Sequence, residues 1–282
     1  MQIKLITNRQ AEIVVPEYLY VSQDNYEIMP VGGLVKYYHY LYCDSATSCI
    51  VVIVSGKAQD GRPSIAISHL SRPQRFAKFF SEVENNFTGE ICVFAHGANP
   101  PQPGTNSDGT PDYTALRNLG IVNDWISNHS AVTHSGDKLT IIQATLLFGE
   151  GNPSVYESDL DCYGVDISNP KNLIVSNKRF ALSAVDRDPS GGLQTLFCIY
   201  GLRIEPQMVL LRTAEAFDRS NPNSLYANEQ KLLTIAGEDN FERYANMSDA
   251  GILAALSSTP DAEVPWFCDT IRQAAQYVKI NL

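Results

Sequence analysis

The chain has no Cys-x-x-Cys pair, no Gly-x-Ser-x-Gly elbow, no phosphate-loop or dinucleotide glycine fingerprint and no His-Glu-x-x-His run. These absences argue against a zinc ribbon, a thioredoxin-type redox centre, the usual serine-hydrolase nucleophile, the common nucleotide cradles and a zincin protease. Cysteine is scarce, with six in 282 residues, at positions 43, 49, 92, 162, 198 and 268, too few to staple a fold with disulfides. Cys92, Cys162, Cys198 and Cys268 sit beside apolar residues and suit the role of small buried hydrophobes. A reducing, cytoplasmic setting is therefore expected. Positive charge is in deficit, 21 Lys and Arg against 31 Asp and Glu, for a net charge of -10. An acidic surface argues against nucleic acid or an anionic membrane as a main partner and fits a soluble enzyme. No apolar run is long enough for a transmembrane helix, and Met1-Gln2-Ile3-Lys4-Leu5-Ile6 lacks the long apolar core of a secretion signal. With no repeat, low-complexity tract or break in composition, residues 1–282 are expected to form a single domain with a sizeable core.

What is present is a mixture of short strands and a few clear helices. Candidate strands lie at 3–6, 12–15, 18–21 and 35–42, with a turn at Gly32-Gly33. Two apolar runs follow, at 50–54 and 64–69, and their connector at 55–63 carries Gly56 and Gly61, which suggests a hairpin. Ser71 and Pro73 open a helix with Phe76, Phe79, Phe80, Val83 and Phe87 at helical spacing, and Gly89 closes it. A strand at 90–96 leads into a Gly/Pro-rich loop at 97–112, a guess for a substrate rim, and a second helix is expected from Thr110-Pro111 to about His129. Strands are expected at 139–147, 163–167, 173–175 and 195–200; 201–247 has no clear pattern. Ser248 caps a helix to Leu256, 257–260 is a turn, and Pro265 opens a last helix with Phe267, Ile271, Ala275 and Val278 inward. Without strict β-α-β alternation, the class is α+β, with layered, sandwich-like sheets flanked by helices.

The chemistry concentrates in Asp44-Ser45-Ala46-Thr47-Ser48-Cys49, which runs directly into the apolar segment Ile50–Val54, and in Ser64-Ile65-Ala66-Ile67-Ser68-His69. A thiol heading one strand and an imidazole ending the next come to the same end of a sheet. A thiol becomes a good nucleophile when an imidazole takes its proton. A lone cysteine is in most chains a small buried hydrophobe, and a lone histidine is more often structural than catalytic. The matched strand positions, and the small polar turn at Thr47 and Ser48 whose backbone N–H groups could hold an oxyanion, raise Cys49 and His69 above that background. Asp44 is a candidate for orienting the base or binding a substrate ammonium, although Asp is also common in turns. Cys43 suits a core thiol better than a resolving one. His39 and His96 lie in or at the end of strands and rank behind His69; His129 and His134 fall at a helix end and in a loop. No histidine spacing suggests a metal site, and no cofactor is expected.

At Asp44, Ala46, Thr47, Ser48, Cys49, Val51 and Val52 the chain resembles the protein N-terminal asparagine amidohydrolases, with Ser45 as an extra or substituted position and Ser68-His69 at the place of the family's histidine. A second stretch, 252–265 followed by Phe267, Ile271 and Arg272, resembles that family's C-terminal segment, and Tyr163-Gly164-Val165-Asp166-Ile167 gives a weaker third point of contact. Residues 97–112 and 205–247 find no counterpart. More distantly the chain is similar to cysteine deamidases of the chemoreceptor glutamine deamidase and deamidating toxin type. The resemblance implies a cysteine deamidase fold and metal-free hydrolysis of a side-chain carboxamide. Its substrate would be a protein or peptide with N-terminal Asn, converted to Asp with loss of ammonia, and Cys49 and His69 would carry the reaction. Three alternatives stay open on the sequence: a glutamine deamidase acting on a folded target, a cysteine protease, and a non-catalytic binding module on the same scaffold.

Overall fold

The structure, a computed structural model, describes residues 3–12, 18–31, 40–43, 46–99, 103–105, 108–130, 139–149, 162–167, 169, 173–180, 192–200, 202, 234–238, 241–257, 260, 263 and 266–281. Twelve strands fall in this set: β1 Ile3–Glu12, β2 Tyr18–Tyr20, β3 Asn25–Pro30, β4 Tyr40–Cys43, β5 Ile50–Ala58, β6 Pro63–Leu70, β7 Phe87–Gly97, β8 Gly104–Thr105, β9 Pro111–Asp112, β10 Leu139–Phe148, β11 Cys162–Asp166 and β12 Leu173–Phe180. The helices are α1 Pro73–Asn86, α2 Thr114–His129, α3 Leu193–Ile199, α4 Asp249–Leu256 and α5 Phe267–Asn281, with a 3-10 segment at Phe241–Asn246. One five-stranded sheet runs β1-β12-β11-β4-β2 and the other β10-β7-β5-β6-β3, while β8 and β9 form a small ribbon. The fold is mixed, with two multi-stranded sheets and helices, as the α+β reading expects.

The central strands of the second sheet are apolar on both faces because both faces are covered. Alternation divides each strand between two cores. Val51, Ile53, Ile65, Ile67, Cys92 and Phe94 face the first sheet and pack with its Leu41, Cys43, Tyr163, Val165 and Val175. Ile50, Val52, Val54, Ala66, Val93 and Ala95 face the helices and pack with Phe76, Phe79, Val83 and Val122. The layers are therefore sheet, sheet and helices. Where α1 meets α2, the Phe80 and Trp125 rings stack at 4.3 Å, and the indole N–H of Trp125 donates to Glu84 at 2.8 Å. Gly164 lets β11 lie close to β4, since a Cβ there would strike the Leu41 carbonyl oxygen.

Several sequence expectations change. Residues 195–199 are helical, not extended, and Tyr200 is the C-cap: Leu193, Leu196 and Phe197 recur at helical spacing and bury against Ala274 and Val278 of α5. A short apolar run does not separate the two states by itself. The strand expected at 3–6 extends to Glu12, because a register irregularity between Thr7 and Ala11 lets β1 stay paired with β12 past its polar middle. Phe87 begins β7 rather than ending α1, and α2 starts at Thr114, after Pro111–Asp112 has paired as β9. The side chain of Ser71 does not cap α1. Its own N–H and that of Arg72 donate instead to the carboxylate of Asp24, at 2.9 and 3.1 Å. Ser248 caps α4 as expected, accepting from Gly251 N–H at 3.2 Å. The strand β3 had no sequence signal and pairs antiparallel with β6. Expectations at 13–15, Gly32-Gly33, His39, Asp44, Ser45 and His134 lie outside the described residues.

Candidate active site

Residues 50–70 form the expected hairpin, closed at Ala58–Arg62 with Gly61 at φ 82°. Its register sets Val51 opposite His69, and on its other side Val51 stands opposite His96 of β7. Cross-strand partners point to the same face. His69, Val51 and His96 thus form a row across three strands on the face that meets the first sheet. Cys49 stands one step further along the Val51 column, on that same inter-sheet face. It lies on the diagonal from both histidines, a separation that aromatic and long side chains can bridge. Cys49 is 6% exposed and His69 5%, while His96 is fully buried. Among the described residues, no three His, Cys, Asp or Glu side chains are grouped to hold a metal ion.

The turn that presents Cys49 is fixed from two directions. The end of β7 folds over it: Ala98 N–H donates to the Cys49 carbonyl at 2.9 Å and Asn99 N–H to the Thr47 carbonyl at 2.8 Å. This approach requires Gly97, whose φ is +126° and whose place admits no Cβ without overlap on the Cys49 carbonyl. From α2, buried Asn118 donates through Nδ2 to the Ser48 carbonyl at 2.9 Å. Ser48 is buried and Thr47 half-buried, so the polar turn lies within the fold and not on an open loop.

His96, which the sequence ranks behind His69, stands in the same row across Val51. Its ring lies 4.1 Å from that of Tyr163 on the opposing sheet, tilted by 32°. Both ring nitrogens are buried without a hydrogen-bond partner. Burial, and secondarily the charge of neighbouring His69, push its pKa down to about 3, so the imidazole is neutral at ordinary pH. Burial pushes the Cys43 thiol well above its usual range, and its Sγ lies 3.6 Å from the Ser68 carbonyl, as suits a core thiol.

Behind His69, the chain is held by buried Asp24, a left-handed residue with φ 60° whose N–H donates to the His69 carbonyl. The Asp24 carboxylate also accepts from Arg72 Nε at 2.6 Å, and Arg72 reaches the Cys198 carbonyl at 2.9 Å. A cavity of about 370 Å³ opens here, lined in part by Asp24, Ser71, Arg72, Arg117, Cys198 and Phe267. Cys49 and His69 do not line it. No helix among the described residues is long and apolar enough to cross a membrane. Compared with known proteins, the chain matches no family model and no curated relative.

Proposed function

We propose that the protein is a cysteine amidohydrolase that hydrolyses a side-chain carboxamide, with a protein or peptide bearing N-terminal asparagine as its substrate. One observation carries the reading: Cys49 and His69 share one face and one end of the β5–β6 hairpin, with the Cys49 turn clamped by Gly97, Ala98 and Asn118. The choice of an N-terminal asparagine, and of a cysteine deamidase type of fold, rests on the resemblance of 44–54 and 252–272 to the N-terminal asparagine amidohydrolases.

The reaction needs no group beyond the chain and water. The Cys49 thiol proton passes to His69 as Sγ bonds to the carboxamide carbon, and the carbonyl π pair moves to oxygen. Backbone N–H groups of the Ser48–Cys49 turn steady that oxyanion. The carbonyl re-forms, the C–N bond breaks, and His69 returns the proton to departing ammonia. Water then attacks the thioester, giving its proton to His69. The C–S bond breaks, and Cys49 recovers its proton as the carboxylic acid leaves. The sum is carboxamide plus water to carboxylic acid plus ammonia. Asp44 remains a proposed contact for the substrate's α-ammonium group. Ammonia release from matched peptides starting with Asn, starting with Gln, or carrying Asn internally tests the reading. Release confined to the first peptide supports it, release only from exposed Gln of folded proteins favours a glutamine deamidase, and peptide-bond cleavage would mean a protease.

A further inference from the structure

The mechanism leaves one buried imidazole unused. His96 stands across Val51 from His69, on the face and at the sheet end that carry Cys49. It is fully buried with two nitrogens that meet no hydrogen-bond partner. An orphaned buried polar group costs about 1–3 kcal/mol, and native proteins keep few of them. A phenyl ring would fill the same place against Tyr163 at no such cost, so packing does not explain a histidine here. We propose that a ring N–H of His96 donates a hydrogen bond to the oxygen of the carbonyl attacked by Cys49 and to the oxyanion it becomes, making His96 a second catalytic imidazole beside the base His69. The inference rests on Cys49 being the nucleophile of an amide hydrolase.

The division of labour follows from the surroundings. Buried against Tyr163 and beside His69, the His96 imidazole is neutral at working pH and carries one N–H and one lone pair. A neutral ring donates a hydrogen bond without giving up its proton, so the proton count of the reaction is unchanged. The Tyr163 ring limits how far the imidazole can swing, and a donor held in place ahead of the reaction needs little reorganisation as charge develops.

The test compares two reactions of Cys49 in wild type, His96→Phe, His96→Gln and His69→Ala, each followed by mass spectrometry. Acylation by p-nitrophenyl acetate passes through an oxyanion, whereas alkylation by iodoacetamide needs the thiolate but no oxyanion. In His96→Phe, acylation is expected to fall roughly tenfold or more and ammonia release about a hundredfold through kcat, with alkylation unchanged. His96→Gln, which keeps an N–H donor, should recover part of the loss. His69→Ala should slow both reactions. Thermal melting separates this from a structural role: removing two orphaned nitrogens should leave the His96→Phe melting temperature unchanged or raised. Equal acylation in wild type and His96→Phe would overturn the inference, as would acylation and alkylation falling together. A wild type that acylates but releases no ammonia from any carboxamide would contradict the proposed substrate, while the ratio of acylation to alkylation would still decide the role of His96.

Discussion

Replacing Gly97 by alanine should do more damage than its size suggests. The backbone at Gly97 has φ +126°, which a side-chain-bearing residue adopts at a cost of about 1–3 kcal/mol. The new methyl would also overlap the Cys49 carbonyl, a backbone group that cannot swing aside. Relief requires the end of β7 to lift away from the Cys49 turn. That movement breaks the bonds from Ala98 N–H to Cys49 and from Asn99 N–H to Thr47, worth about 1 kcal/mol each. The sum is about 3–5 kcal/mol, a sizeable part of the stability of an ordinary domain. Gly61→Ala is the control: φ there is also positive, at 82°, but an added Cβ meets nothing, so only about 1–2 kcal/mol of backbone strain is expected. Urea unfolding of the two variants should separate them by about 2–3 kcal/mol at unchanged m. Gly97→Ala should in addition slow iodoacetamide labelling of Cys49. Equal loss of stability in the two variants would refute the close approach of β7 to the Cys49 turn.

Three further outcomes follow. Asn118→Ala removes the buried bond to the Ser48 carbonyl, so it should lower stability by about 1–3 kcal/mol in urea and reduce ammonia release. Below pH 7, an unfolded His96 takes up a proton near its ordinary pKa of about 6.5 while the folded residue, at about 3, does not. The unfolded state then binds more protons, so stability is retained above pH 6.5 and lost on acidification. His69 and Tyr163 face this ring and Cys49 stands diagonal to it, and all three remain in His96→Phe. Between pH 7 and pH 5 the wild type should therefore lose about 2 kcal/mol more than His96→Phe, measured by urea midpoints at both pH values. Peptide mapping after brief iodoacetamide treatment at pH 8 should find label on Cys49 before Cys43, whose buried thiol holds its proton.

That Cys49 and His69 share one face and one end of the hairpin was legible because the signals are local: two apolar runs with a glycine-bearing connector of hairpin length fix one register, and the register fixes which side chains share a face. That His96 joins this row was not legible in the sequence. Its place beside Val51 depends on β7 pairing with β5 across an intervening helix, a long-range choice that leaves no mark near residue 96 beyond the strand itself. Once that pairing is known, the alternation of Phe94 and His96 gives its face directly. Asp24 was hidden for a similar reason, since its carboxylate serves the start of α1, 47 and 48 residues away. At 195–200 the apolar run was too short to show its period, and burial against α5 decided for helix. The strand β3 was invisible because its polar residues alternate only weakly with apolar ones and its pairing with β6 stabilises it.

The most direct measurement is kcat/KM for ammonia release from a peptide with N-terminal asparagine, by wild type, Cys49→Ala and Cys43→Ala. Turnover by the wild type, its loss in Cys49→Ala and its retention in Cys43→Ala are expected. Turnover that survives in Cys49→Ala, or a wild type that releases no ammonia from this peptide, would contradict the proposed function.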